Sequence, residues 1–162
     1  MEVTFWRIHI FTRLSTNTKL VTGINTMFRK TSVMLLSLLF ASFSMAELVV
    51  VVHPSNGDAL SAKQVQRIFL GKEKKFPSGS ETVAINQSVD SNQRQSFDQD
   101  ILGRSSSQVS AYWSKLVFTG KGVPPKEVNS DAEVIELVSQ NPSVIGYIDK
   151  ASVTDAVKVV EL

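Results

Sequence analysis

Cysteine is absent from this chain. That excludes disulfide staples and thiolate metal sites, so packing alone must hold whatever fold the sequence encodes. Histidine is nearly absent: His9 and His53 are the two. No His pair or His–carboxylate cluster has the spacing of a zinc site. There is no G-x-S-x-G elbow, the mark of a strained serine nucleophile, and no glycine-rich phosphate loop ending in Lys-Ser or Lys-Thr. His53, beside Pro54, reads as a capping or core residue. Asp98 and Asp100 stand two apart in a helical stretch and so point in different directions. No catalytic residue, metal ligand or cofactor site stands out, and the sequence points away from an enzyme.

Long apolar runs are missing too. The run from Val33 to Phe43 is interrupted and too short to span a bilayer, which takes about 20 residues. It follows the basic pair Arg29–Lys30 and precedes Ser44-Met45-Ala46, which puts small residues at −3 and −1 of a cleavage point before Glu47. Charge, apolar stretch and small residues in that order form a secretory signal peptide. Residues 27–46 are therefore expected to direct export, with the periplasm as destination and cleavage near Ala46. Met27 is placed to begin this signal. Residues 1–26 show no clear period and no partner segment, and read as an over-extended start or a long n-region.

Net positive charge disappears with the leader. The whole chain is +2, but residues 47–162 hold 12 basic and 14 acidic side chains, a net of −2. A nucleic-acid binder normally carries a basic face, so that class is disfavoured. What is left is one small domain. The basic cluster Lys72, Lys74 and Lys75 reads as a solvated loop.

The residues present read as alternating strands and helices. Val49 to Val52 is a run of β-branched residues stopped by Pro54, as in a strand buried on both faces. Ser61 can cap a helix that places Leu60, Val65, Ile68 and Phe69 on one side, with Gly71 at its end. "TVAIN" is a second strand. Phe97, Ile101 and Leu102 mark a helix closed by Gly103, and "SSSQVSAYWSKLVF" a longer one with a stripe of Val109, Tyr112, Trp113, Leu116 and Val117. The Tyr112/Trp113 pair reads as core. "TGKGVPP" is a rigid turn. "NSDAEVIELVSQN" is a capped helix with Val134, Ile135, Leu137 and Val138 inward and Glu133 and Glu136 outward. "PSVIGYI" is a strand, "DKASVTDA" a short helical turn and "VKVVEL" a last strand. The order β-α-β-α-α-α-β-(α)-β predicts an α/β domain with a mostly parallel sheet flanked by helices.

One stretch stands apart. "NQSVDSNQRQSF" (86–97) is polar and joins the second strand directly to a helix. A helix N-terminus has unpaired N–H groups and about half a positive charge. In open α/β sheets ligands gather at the carboxyl ends of strands. Ser88, Ser91 and Asn92 can add neutral donors, Arg94 a charge, and Asp90 can accept the proton of a protonated oxyanion. The plain alternative is a helix cap, with Asp90 or Ser91 as N-cap and the rest solvated.

"LSAKQVQRIFLGK", a Pro/Gly loop, a strand, a serine-containing turn, "F…IL" and "NPSVIGYID" together resemble the phosphate-binding proteins of ABC transporters, in the type II periplasmic binding protein superfamily. The resemblance runs through 47–162 and matches the second lobe and hinge strands of those two-lobed proteins, as in short single-lobe relatives. It implies a binding site for phosphate or a similar oxyanion in transport or phosphate sensing. In the family an arginine ends the strand and a Ser-Gly-Thr triplet opens the helix. Gln87 falls where that arginine stands, and Ser91, Asn92 and Gln93 fall on the triplet, of which only Ser91 is kept. Arg94, one turn on, could restore the charge. The candidate ligand residues are thus Gln87, Ser88, Asp90, Ser91, Asn92, Gln93 and Arg94. With one lobe only, a closed cleft would need a partner, either a transporter or outer-membrane protein or a second copy in a homodimer. The lost arginine and triplet keep open a second reading, a ligand-free interaction or scaffold domain.

Overall fold

The computed structural model describes residues 47–162; the expected signal peptide and the alternative start sites lie outside the described residues. Among the described residues, five strands and four helices follow one another, two of the helices in succession. β1 (Leu48–Val52) is the valine run. α1 (Ala62–Phe69) begins at a reciprocal cap: Ser61 Oγ accepts from the Gln64 N–H, and Gln64 Oε1 accepts from the Ser61 N–H. β2 (Val83–Gln87) leads through a short turn into α2 (Asn92–Asp100). Ser105 and Gln108 repeat the reciprocal cap at the head of α3 (Ser106–Phe118). β3 (Lys126–Val128) follows, then α4 (Asp131–Gln140), capped by Ser130 and with Asp131 and Glu133 in its first turn, where the helix dipole favours negative charge. β4 (Val144–Asp149), a 3-10 turn (Lys150–Ser152) and β5 (Lys158–Val160) complete the order.

The strands form one sheet in the order β3-β2-β4-β1-β5. β2 pairs parallel with β3 and β4, and β1 pairs antiparallel with β4 and β5. Four of the five strands therefore point the same way, with β1 reversed among them. The sheet is mostly parallel, as the sequence pattern predicts. The strand missing from that pattern is β3. Its three residues, Lys126, Glu127 and Val128, carry two charges and sit at the sheet edge, so neither length nor alternation marks it.

Side chains alternate across the sheet and build two cores. On one face Val50, Val52, Ile145 and Tyr147 meet Val65, Ile68, Phe69, Phe97, Val109 and Trp113 from α1, α2 and α3. On the other, Val51, Ile85, Val128, Val144 and Ile148 meet Val134 and Val138 of α4. Both faces of the sheet are covered, which explains the unbroken apolar runs of β1 and β4. The α3 stripe is narrower than its spacing predicts. Val109 and Trp113 are buried, but Val117, in the last turn of α3, is exposed.

Gly146 is where α4 comes closest. A Cβ there would lie 2.5 Å from Val134 Cγ1. Gly146→Ala is expected to destabilise the domain by about 1–3 kcal/mol through overpacking, read as a lower urea midpoint with an unchanged slope. Val134→Ala in the same chain should recover part of that loss.

Candidate functional site

β2 runs straight into the head of α2 at the carboxyl end of the sheet's parallel part. The Ser88 N–H donates to the Val128 carbonyl at 2.8 Å, carrying the β2–β3 ladder one residue beyond the strand. A turn follows, closed by the Ser91 N–H on the Ser88 carbonyl at 2.9 Å. Ser91 is the N-cap: its Oγ accepts from the Arg94 N–H at 3.0 Å, and its carbonyl accepts from the Gln95 N–H. That decides between the two cap candidates. Asp90 is exposed and makes no hydrogen bond among the described residues, so its carboxylate does not fold back onto the helix. The backbone N–H groups of Asn92 and Gln93 likewise have no acceptor among the described residues.

Beneath this turn lies a polar network. Gln87 is buried, and its Nε2 donates to Asp131 Oδ1 at 2.6 Å and to the Tyr147 carbonyl at 3.2 Å. The second Asp131 oxygen accepts from the Asp149 N–H at 3.1 Å. The first residue of α4 thereby ties β2 to the end of β4. The Gln87 N–H donates to Tyr147 Oη at 3.1 Å, and that hydroxyl donates to Asn86 Oδ1 at 3.4 Å. Burial pushes the Tyr147 phenol well above its ordinary pKa, the hydrogen bond from Gln87 pulling it back only in part. It therefore stays a neutral structural donor.

Arg94 also turns inward and is 2% exposed. Its Nε donates to both oxygens of Asp98, at 3.0 and 2.9 Å. Its Nη1 donates to the Gln87 carbonyl at 3.2 Å and to Glu127 Oε1 at 3.1 Å. Asp98 is fully buried, whereas the Glu127 side chain is half exposed. Burial raises the Asp98 pKa, opposed by the Arg94 charge and by the nearby Ser106 hydroxyl, with Glu127 adding to the rise.

The seven candidate residues thus separate into two groups. Ser88, Asp90, Ser91, Asn92 and Gln93 form the solvent-reachable turn. Gln87 and Arg94 lie underneath it and hold it in place. The Arg94 charge is shared with two carboxylates below the first turn of α2 rather than presented at its surface. Sequence reasoning missed Asp131, Glu127 and Tyr147 as partners. Only the Arg94–Asp98 pair, at i and i+4 on one helix, had a signal in the sequence. Among the described residues no group of three or more His, Cys, Asp or Glu side chains is placed to hold a metal ion.

No protein-family model matches the chain, and no curated protein matches it. Solved structures do. An ABC-type phosphate transport receptor from Vibrio cholerae superposes with a TM-score of 0.55 at 22% identity, over 70% of this chain and 45% of that one. A protein described as a phosphate ABC transporter substrate-binding protein, from Clostridium perfringens and with phosphate bound, gives 0.56 at 22% identity, over 70% and 44%. PstS from Borrelia burgdorferi gives 0.50 at 20% identity, over 70% and 46%. The resemblance drawn from the sequence holds at the level of fold, and the chain spans less than half the length of each of these proteins.

Proposed function

We propose that residues 47–162 form a periplasmic binding module for a small oxyanion, phosphate first, working in transport or phosphate sensing. The observation that carries this reading is the pair of open backbone N–H groups at Asn92 and Gln93. They stand at a solvent-reachable helix head directly after a parallel strand, with no internal carboxylate occupying them. A helix N-terminus in that position favours an anion through its unpaired donors and its dipole. The hydroxyls of Ser88 and Ser91 lie in the same turn, and Asp90 supplies an acceptor for a phosphate that keeps a proton. A structural neighbour with phosphate bound supports the choice of ligand. The half-length match supports a site completed by a second protein or a second copy, because one face of a turn buries little of a ligand.

The test is an amide-resolved titration of residues 47–162. Phosphate should shift the Asn92 and Gln93 amide signals in a saturable way. Ser91→Ala should weaken that response about tenfold while costing the fold about 1 kcal/mol, the usual loss of an N-cap. Amides that do not move in either protein would remove the site. A second reading, a scaffold domain without a ligand, is favoured by one observation: both Gln87 and Arg94 direct their side chains inward, which leaves the turn without a cation of its own.

A further inference from the structure

The opposite end of β2 presents a different surface. Val83 begins the strand that Gln87 ends, about 13 Å away at 3.3 Å per residue. Six large hydrophobic residues are exposed among the described residues; three of them, Val83, Val117 and Val123, lie here, and a fourth, Phe118, follows Val117 in the chain. Val83 and Val123 line one shallow concavity of about 510 Å³, and Val117 and Val123 line a second of about 690 Å³ beside it, with Trp113 as their shared wall. Phe118 is 92% and Val123 85% exposed. Phe118 lines neither concavity, and Val123 stands mostly in solvent at the rim of both.

The projection is built and not frayed. The Thr119 and Lys121 N–H groups donate to the Lys115 and Leu116 carbonyls at 3.1 and 2.8 Å, and Gly120 closes the helix at φ 66°. Gly122 then packs on the Trp113 ring, where a Cβ would meet Cζ3 at 3.3 Å. Pro124 and Pro125 fix the exit of the loop. The charge is mostly positive. Lys74, Lys75, Lys121 and Lys126 are exposed around these concavities, against Glu73 and Glu81, and Glu73 is already paired with Arg67 at 3.0 Å. This is a cationic face on a domain that is acidic as a whole.

Apolar side chains standing proud of a ring of lysines match a lipid interface: the apolar groups enter the headgroup layer and the lysines meet anionic phosphates. A second copy fits less well, because a two-fold contact would set these lysines against their own equivalents. A peptide groove fits less well, because the most exposed apolar side chain, Phe118, lines neither concavity. We infer that this face is a peripheral docking surface for an anionic membrane, with Phe118 and Val123 inserted among the headgroups. No helix among the described residues is long and apolar enough to cross a membrane. The inference does not depend on the oxyanion reading, and the two surfaces lie at opposite ends of one strand.

Residues 47–162 carry a complete sheet and both cores and form a compact unit, so they can be tested as such. Vesicles of phosphatidylcholine alone are compared with vesicles of equal parts phosphatidylcholine and phosphatidylglycerol, by co-sedimentation. Binding is expected on the anionic vesicles only and should fall as salt is raised. Phe118→Asp with Val123→Asp should lower the partition at least about tenfold. Lys74→Glu with Lys121→Glu should lower it about fivefold or more for each lysine changed. Both variants should melt with the parent protein, since the altered side chains are exposed. Failure to bind anionic vesicles, or binding indifferent to the Phe118 and Val123 changes, overturns the proposal. So does a dimer of the parent protein that Phe118→Asp dissociates, which would assign this face to a second copy.

Discussion

Arg94→Ala is expected to destabilise the domain by about 3–5 kcal/mol, lowering the melting temperature by roughly 10–20 °C. The cause is the removal of one partner from a buried pair. Asp98, fully buried, would lose both hydrogen bonds from Arg94 Nε, and the Gln87 carbonyl would lose its Nη1 donor. The loss should depend on pH with a definite sign. The folded-state pKa of Asp98 is already raised by burial above its ordinary 3.8, and removing the opposing guanidinium raises it further. A raised carboxyl contributes stability that is complete below its unfolded pKa and is lost as pH rises through the folded one. The penalty of Arg94→Ala should therefore shrink on acidification toward the ordinary aspartate range. Arg94→Ala/Asp98→Asn should be more stable than Arg94→Ala at neutral pH, because no buried charge is then left alone. Chemical unfolding of the parent and the two variants at neutral and acid pH checks both statements. A loss under about 1 kcal/mol, or one independent of pH, would contradict the placement of this pair.

Phe97→Ala should cost a similar amount, about 3–5 kcal/mol. The Phe97 ring stacks on Tyr147 with centroids 3.9 Å apart and planes 5° from parallel, and meets Phe69 at 4.5 Å. It is fully buried and is the apolar anchor that holds α2 against β4. Deleting it leaves a cavity beneath the helix whose head forms the candidate site. Stability and site geometry should fail together: the urea midpoint falls, and any anion response of the Asn92 and Gln93 amides weakens. Phe97→Leu, which keeps most of the volume, should recover much of both. An alanine variant as stable as the parent would mean that α2 is not anchored this way.

The two cases show where the sequence was readable. The layers of the fold followed from local signals. Ser61 marked a helix start, and Gly71 and Gly103 marked two ends. Valine runs marked strands covered on both faces. β3 was hidden because a three-residue edge strand needs only backbone donors and acceptors, which "KEV" does not advertise. The turn at 88–93 was legible as a helix head because polar residues crowd the end of an apolar strand. The direction of Arg94 and Gln87 was not. A charged side chain beside a candidate anion site reads as a ligand, but here Asp98 and Glu127 claim it, and Glu127 stands 33 residues along the chain. Gln87 likewise finds Asp131 across 44 residues. No local pattern carries such pairings, since they arise when separate strand ends are brought side by side.

An oxyanion held at the open helix head after β2 should be visible in a calorimetric titration of purified 47–162 with phosphate, with sulfate as the control anion. Saturable phosphate binding is expected, with a matching rise in melting temperature, since a ligand of the native state must stabilise it, and weaker binding in Ser91→Ala. No heat and no stabilisation at millimolar phosphate would contradict it, and would leave the turn as a helix cap on a scaffold domain.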